Sequence, residues 1–227
     1  MRWLPLFAVL VVARASAVVG DDAAVAEPAA PSGRPVMTSQ PVAGREQPPS
    51  SRALVDARAE LQRRYREPLF RAGTAAGATR AADLFLEAGA AEPDRALKWL
   101  LLAEARRLGA AAGNAAVIHR AVSLASATYE FDELDLEYRA LAEIPLRGLS
   151  PDRAAGVAEA AEGVAGRAEI DGRVELALAA QDLAIRGWQR AGAIEACRRA
   201  MARHVELTAA SEGQRPVIKA PVREHGG

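Results

Sequence analysis

Side chains that often carry catalysis or bind metals are sparse in this sequence. Its three histidines are His119, His204 and His225, and none lies in an H-E-x-x-H motif or beside a second histidine at ligand spacing. His119 follows Ile118 on a predicted half-exposed helix, which favours a surface or boundary histidine over a metal ligand. We therefore expect neither a zinc site nor histidine-based catalysis.

The densest acidic run raises a calcium hypothesis. Its members are Glu130, Asp132, Glu133, Asp135 and Glu137. Their spacing does not fit an EF-hand loop, which needs Gly at its sixth position and Glu at its twelfth. Acidic side chains also favour a helix N-terminus, where the helix dipole is positive. We interpret the run as the solvated start of a helix.

The remaining motifs do not indicate an enzyme. Cys197 is the only cysteine, so an internal disulfide bond is excluded, and its helical register places it on an apolar stripe with Ile194 and Met201. The sequence contains no G-x-S-x-G, G-x-G-x-x-G or G-x-x-x-x-G-K-[ST] motif. A carboxylate pair for glycoside chemistry stays open, because any two acids could meet in a fold. We expect no catalytic activity and no cofactor.

Three large amphipathic side chains are candidates for contact with a partner: Trp99, Tyr138 and Trp188. Trp99 lies off the stripe formed by Leu97 and Leu101, so it either packs between helix pairs or projects as a binding anchor. Stacked repeats bury two faces of many helices, which favours packing.

Charge argues against a nucleic-acid partner. The chain has 29 basic and 29 acidic residues, whereas nucleic-acid binding depends on clustered Lys and Arg that neutralise phosphates. An Arg-rich segment from Ser51 to Arg66 could bind a membrane surface, but Asp56, Glu60 and Glu67 dilute its charge. We expect a protein or peptide partner.

The N-terminus has the pattern of a secretory signal peptide over residues 1–17. Arg2 is followed by an apolar stretch from Leu4 to Ala13 and by the small residues Ala15, Ser16 and Ala17. An uncleaved anchor is the alternative, but the stretch is about half the ~20 residues of a bilayer span. This predicts export to the periplasm or the medium, with no stable membrane insertion after cleavage.

Composition then divides the rest of the chain into three parts. Residues 18–50 are rich in Pro and Ala and predict a disordered linker, and residues 213–227 predict a disordered tail. Residues 51–212 are dense in Ala, Leu, Arg and Glu, which favour helices. The sequence therefore predicts an all-α domain between two flexible ends.

Start and stop signals divide this domain into helices. Asp94, Asn114, Asp132 and Ser150 are predicted N-caps, Pro68 is predicted to break or kink the first helix after about Arg66, and Gly113, Gly172 and Gly192 mark turns. Apolar spacing then predicts the inward faces. These are Leu54, Leu61 and Tyr65; Ala81, Leu84, Phe85 and Ala88; Leu97, Leu101 and Leu108; Ile118, Val122, Ala125 and Tyr129; Leu134, Tyr138 and Leu141; Ala154, Val157, Ala161, Val164 and Ala168; Val174, Leu178, Ile185 and Trp188; and Ile194, Cys197, Met201 and Val205.

The turns recur at a spacing typical of repeats. Gly77, Gly113 and Gly192 are 36 and 79 residues apart, and the second interval is about twice a repeat of ~34–40 residues. The stretch from Asp94 through Ala112-Gly113-Asn114 to Asp132 resembles a TPR-like helical-repeat segment of exported, largely uncharacterised planctomycete proteins. That resemblance extends over about residues 52–210 and implies an interaction or scaffold role. It implies no catalytic residues, and the regular Trp, Gly and Tyr positions of the TPR consensus are missing.

Together, these patterns predict antiparallel helix hairpins stacked as a short TPR-like α-solenoid or irregular bundle. The predicted function is an exported interaction module or scaffold that binds a protein or peptide. An accessory or degenerate subunit of an envelope enzyme complex is the alternative.

Overall fold

The computed structural model describes residues 44–214, and within them the predicted all-α fold is confirmed. The helices are α1 (Ser51–Arg64), α2 (Arg66–Arg71), α3 (Ala75–Ala91), α4 (Arg95–Ala112), α5 (Ala115–Ser126), α6 (Glu133–Ala142), α7 (Pro151–Ile170), α8 (Val174–Ala191) and α9 (Ile194–Gln214). A short 3-10 turn, Leu146–Gly148, precedes α7. The predicted signal peptide, most of the linker, and the tail from residue 215 with His225 lie outside the described residues.

Local capping sets most helix boundaries. Six N-cap side chains each accept a hydrogen bond from the backbone amide three residues later in the sequence. These residues are Ser50, Thr74, Asp94, Asn114, Asp132 and Ser150. Gly113 and Gly192 end α4 and α8 in the left-handed region, with φ of 65° and 72°. The predicted N-caps and the predicted turns at Gly113, Gly172 and Gly192 are therefore confirmed. The turn predicted at Gly77 is wrong, because Gly77 lies in the first turn of α3 and its amide donates to the Thr74 cap.

From α3 to α8, alternate helices form two sets, and within each set every helix contacts the next member along the chain. One set contains α3, α5 and α7, the other contains α4, α6 and α8, and each helix of the first set also packs against the helix that follows it. The helices α3, α5, α7 and α9 begin at Ala75, Ala115, Pro151 and Ile194, at intervals of 40, 36 and 43 residues. The arrangement is that of helix hairpins packed side by side in a bundle or short solenoid.

The core between α7 and α8 is built from small side chains. The predicted stripe of Ala154, Val157, Ala161, Val164 and Ala168 is confirmed, because all five residues are fully buried. Opposite it on α8 lies Gly187, where an added Cβ would stand 2.8 Å from the Cβ of Ala158 and 3.0 Å from the carbonyl oxygen of Ala154. The two helices therefore approach closely enough that a methyl group at Gly187 would clash.

The predicted inward face of the last helix is wrong. The exposed fractions of Ile194, Met201 and Val205 are 72%, 51% and 66%, and Cys197 is half-buried. Instead, α9 packs with Ala200 and Leu207 buried. Both faces of α9 are apolar enough to pack, and the smaller Ala face, which permits closer contact, is the one that is covered.

Three other predictions need smaller corrections. Pro68 does not break the first helix where it stands; the chain bends at Tyr65, and Pro68 occupies the first turn of α2, where a missing amide is tolerated. Leu84 on α3 is exposed. On α8, Val174, Leu178 and Ile185 are half-buried, because the fully buried positions belong to the smaller Ala177, Ala180 and Ala184.

The end of the predicted linker lies against the helical domain. The amide of Glu46 donates to the carbonyl of Thr128 at 3.0 Å, and the amide of Glu130 donates to the carbonyl of Glu46 at 2.7 Å. The Glu46 carboxylate also forms an ion pair with Arg95 at the start of α4. This short bridge fixes where the chain enters the domain.

Candidate functional site

An open groove of about 770 Å³ lies between α5 and α7. On one side it is lined by the start of α5, from Asn114 to Ala116, and by His119. On the other side it is lined by α7, through residues one helical turn apart that include Arg153, Gly156, Ala160, Gly163 and Arg167. Because α5 and α7 belong to the same set of helices, the groove follows the junction between two neighbouring hairpins.

Glycines on α7 keep this groove open. An added Cβ at Gly156 or Gly163 would meet no described atom within 4 Å, and neither residue has a positive φ. A glycine inside a helix destabilises it by roughly 0.5–1 kcal/mol relative to alanine. Neither the packing nor the backbone conformation therefore explains why α7 carries glycine at these two positions.

A buried carboxylate joins the three helices around the groove. Glu137 of α6 is 2% exposed, with Oε1 2.9 Å from Nδ1 of His119 on α5 and Oε2 2.6 Å from a guanidinium nitrogen of Arg167 on α7. A buried charge requires such partners, because an unpaired carboxylate would bear the full penalty of lost hydration. Both partners line the groove, so Glu137 holds them in place from below.

The contact with Glu137 also sets which ring nitrogen of His119 faces away from the buried carboxylate. An ionised carboxylate only accepts hydrogen bonds, so Nδ1 of His119 is the donor and Nε2 is left for another contact. The His119 side chain is 53% exposed, so Nε2 can serve a ligand in the groove. The result is an oriented imidazole beside the small residues Gly156, Ala160 and Gly163 of α7.

Unpaired charges of both signs border the groove. A guanidinium nitrogen of Arg153 donates to the carbonyl oxygen of Ala112 at 2.5 Å, which ties one end of the guanidinium to the end of α4 and leaves its other N–H groups for a ligand. Within residues 44–214, no ion pair involves Arg153, Asp152 or Glu159, although all three line the groove. The groove thus offers a donor and two acceptors that are free to contact a ligand.

The three predicted partner-contact residues lie elsewhere. Trp99 of α4 makes edge-on contacts with Tyr129 and Phe131, with ring centres 5.0 and 5.7 Å apart. Tyr138 of α6 is half-buried, and Trp188 of α8 is buried with Nε1 donating to Glu162 at 2.9 Å. These residues sit in three separate apolar clusters and none lines the groove. Their contact with a partner stays a prediction.

Sequence reasoning missed the groove because it placed Glu137 in a solvated acidic run. The structure corrects this, since Glu137 is buried while Asp132 caps α6 as expected. A signal was present: Glu137 lies three residues after Leu134 and four before Leu141, on the apolar face of its own helix. Its pairing with His119 and Arg167, 18 and 30 residues away, has no local signature.

Two further features bear on function. Within residues 44–214, no group of three or more His, Cys, Asp or Glu side chains is arranged to hold a metal ion. No helix in the same part of the chain combines the length and apolar character of a transmembrane span.

Comparison with protein-family models, with curated proteins and with solved structures finds no match for this chain.

Proposed function

We propose that this chain is an exported helical-repeat protein that binds a protein or peptide segment in the groove between α5 and α7, without catalysing a reaction itself. Regular intervals between the helices support a repeat architecture of TPR-like type. The tripartite N-terminal pattern with Arg2 and the residues Ala15 to Ala17 supports export. Balanced charge supports a protein or peptide partner over nucleic acid.

The observation that carries the proposal is the pair of glycines, Gly156 and Gly163, on the groove side of α7. They lower helix stability, and the described packing does not require them. Gly166 shares these two properties, but only Gly156 and Gly163 line the groove. A bound segment whose backbone approaches α7 closely would require them, because a side chain at either position would occupy the ligand's space. The small residue Ala160 between them extends the same floor.

The groove's polar groups suit a polypeptide. A peptide backbone carries a donor and an acceptor at every residue, and each needs a partner when it leaves water. Arg153 can donate to a carbonyl or carboxylate, whereas Asp152 and Glu159 can accept from an amide or a lysine. His119 adds a group that accepts through Nε2 when neutral.

A groove-filling variant tests the proposal. Gly156→Leu puts a large side chain into the groove, and the matched control Gly166→Leu puts the same side chain on α7 at a site that lines a different depression, between α7 and α9. At both positions an added Cβ meets no described atom within 4 Å, so both variants are expected to fold. Each variant serves as bait for proteins of the exported fraction, and the captured proteins are quantified by mass spectrometry.

We expect Gly156→Leu to reduce capture of the specific partner about tenfold or more, a loss of at least ~1.4 kcal/mol of binding free energy. Gly166→Leu should retain it. Equal capture by the wild-type protein and Gly156→Leu, with both folded by circular dichroism, would show that the groove is not the binding site.

A second candidate function is an accessory subunit of an envelope enzyme complex, and the contact between His119 and Glu137 favours it. A carboxylate that orients an imidazole is what a general base requires, although the nucleophile or substrate would have to come from a partner chain. The test is His119→Gln in a complex that copurifies with a measurable activity. Unchanged activity in that complex would exclude a catalytic role for His119.

A further inference from the structure

A polar depression of about 320 Å³ lies between α7 and α9, which both pack against α8. Its floor includes Gln181 of α8, which is only 3% exposed. Its walls include Glu162 and Gly166 of α7 and Arg199 of α9. None of these four residues lines the groove between α5 and α7. The depression is therefore separate from the groove to which we assign the protein or peptide partner.

The side-chain amide of Gln181 has an unused acceptor at this floor. Its other end is fixed, because the Ala200 carbonyl can only accept and so must face Nε2, which donates to it at 3.0 Å. Within residues 44–214 no group donates to Oε1 of Gln181. This oxygen is also reachable, since Nδ1 of His204 is the only fully enclosed side-chain polar atom without a partner in that part of the chain. Buried amide oxygens normally have a donor, so Oε1 is available to a ligand in the depression.

Glu162 adds a second acceptor and a negative charge. Its Oε1 accepts from Nε1 of Trp188 at 2.9 Å, so the indole orients the carboxylate. Among the described residues no cation pairs with Glu162, and no group donates to its Oε2. The residue is half-buried, and a charge that is partly removed from water interacts more strongly with an opposite charge than a fully solvated one does.

We infer that this depression, the α7–α9 site, binds an alkylammonium group that donates to Oε1 of Gln181 and to Oε2 of Glu162. An ammonium has three N–H donors and no acceptor, so it complements a floor that offers only acceptors. The nearby arginines oppose it little. Arg203 is already paired with Glu169 at 2.5 Å and with Glu206 at 2.7 Å, and Arg199 is exposed, where water screens its charge.

The α7–α9 site also accounts for Gly166. A Cβ atom added there would have no described atom within 4 Å, and Gly166 has no positive φ, so neither packing nor backbone conformation requires glycine. The missing side chain leaves room in the wall of the depression for the carbon chain that carries the ammonium. The ligand is therefore an amine on an extended chain, either a lysine side chain of a polypeptide or a free alkylamine.

Titration of the nitrogen-15-labelled full chain with small amines tests the site. The Trp188 indole and the Gly166 amide report on it by nuclear magnetic resonance. The probes are n-butylamine, Nα-acetyl-lysine methylamide and the Nε-acetylated form of the latter. The first two are cationic near pH 7, since an alkylammonium has a pKa of about 10.4, and the third is neutral. We expect saturable shifts with a Kd of about 1–10 mM for both cations, which suits ligands of so few atoms, and no saturable shift for the neutral probe.

The two cationic probes distinguish the source of the ammonium. Binding of the lysine derivative at least about threefold tighter than n-butylamine would identify a lysine side chain of a polypeptide, because only that probe carries peptide groups. Equal affinities would identify a free alkylamine. Absence of a saturable shift with either cation would overturn the proposal, as would equal binding of the neutral probe.

Four variants locate the binding. Glu162→Gln keeps an acceptor for the Trp188 indole but removes the charge, and it should weaken amine binding about tenfold. Gln181→Met should weaken it about threefold, through loss of one neutral acceptor. Gly166→Leu should abolish it by filling the wall. The control Glu87→Gln makes the same charge change at an exposed position of α3 and should bind as the wild type does.

Amine binding that is insensitive to both Glu162→Gln and Gly166→Leu, with folding checked by circular dichroism, would overturn the assignment to the α7–α9 site. This outcome is distinct from failure of the proposed groove. If both proposals hold, Gly166→Leu loses the amine and still captures the groove partner.

Discussion

Helix α7 carries small residues on two faces, and they serve different purposes. On the face towards α8, Ala154, Ala161 and Ala168 are fully buried, and any larger side chain would push the two helices apart. On the groove face, a Cβ atom added at Gly156 or Gly163 would have no described atom within 4 Å. Packing explains the first set of small residues and leaves the second unexplained. Gly166 of α7 is equally open but does not line the groove, so we assign Gly156 and Gly163 to a ligand because they lie along the groove on either side of Ala160.

One substitution on each face of α7 tests most directly whether the two faces differ in packing. Ala161→Leu forces a large side chain into the contact between α7 and α8, and overpacking of this kind typically destabilises by about 1–3 kcal/mol. Gly163→Leu, two residues away, is expected to stabilise by roughly 0.5–1 kcal/mol, because a better helix former replaces glycine in open space. Chemical denaturation of both variants measures the two changes in the free energy of unfolding.

Opposite signs for the two variants would confirm that the two faces differ. A loss of stability in both would mean that the groove face is also packed, and the argument for a ligand would fail. The mean helicity from circular dichroism provides the check that Gly163→Leu has not altered the fold.

Substitution of Glu137 tests the polar contacts of the groove, and its expected effect is smaller. Glu137→Gln keeps the shape of the buried side chain but removes the charge that holds Arg167 and His119. Hydrogen bonds to charged groups contribute roughly 1.5–3 kcal/mol each, and the exposed partners can be rehydrated, so we expect a net loss of about 1–2 kcal/mol. Thermal unfolding measures it.

The groove should respond to Glu137→Gln more than the core does. His119 and Arg167 lose their shared anchor, so binding of the captured partner should weaken more than Gly166→Leu weakens it. Unchanged stability and unchanged partner affinity would show that the buried carboxylate does not organise the groove.

The comparison also explains how much of the molecule the sequence could predict. Caps at Asp94, Asn114 and Ser150 and turns at Gly113 and Gly192 depend on a few consecutive residues, and these predictions are confirmed. The inward stripe of α7 depends on periodicity alone, and it is confirmed as well.

Features that depend on which elements meet were not predictable in this way. Helix α9 has two faces that could pack, and only the position of α8 decides that Ala200 is covered while Met201 is exposed. The groove likewise requires the spatial meeting of His119, Glu137 and Arg167 from three helices. Sequence periodicity indicates that a helix face is apolar or made of small residues, but it does not indicate which other helix packs against that face.

The smallest effect concerns the ion pair that fastens the start of α6 to the start of α8. Both carboxylate oxygens of Asp132 accept from the Arg173 guanidinium at 2.7 Å, and Asp132 also accepts the amide of Asp135. Partial burial raises the pKa of Asp132, but the hydrogen bonds from Arg173 and from the Asp135 amide outweigh it, so the net pKa lies below its usual value. The folded state therefore holds this carboxylate in its charged form more strongly than the unfolded state does.

A lowered pKa in the folded state stabilises the protein at pH values above the unfolded pKa of ~3.9, and that contribution is lost as the pH falls through the folded pKa. Asp132→Ala should cost about 1 kcal/mol at pH 7, the usual effect of losing an N-cap, and less than that at an acidic pH below the folded pKa. Urea unfolding at both pH values measures the difference, with Asp56→Ala on exposed α1 as the control. An equal loss of stability at both pH values would mean that Asp132 acts through its shape and not its charge. The charge of the Asp132–Arg173 pair would then contribute less to stability than the charge of Glu137 at the groove.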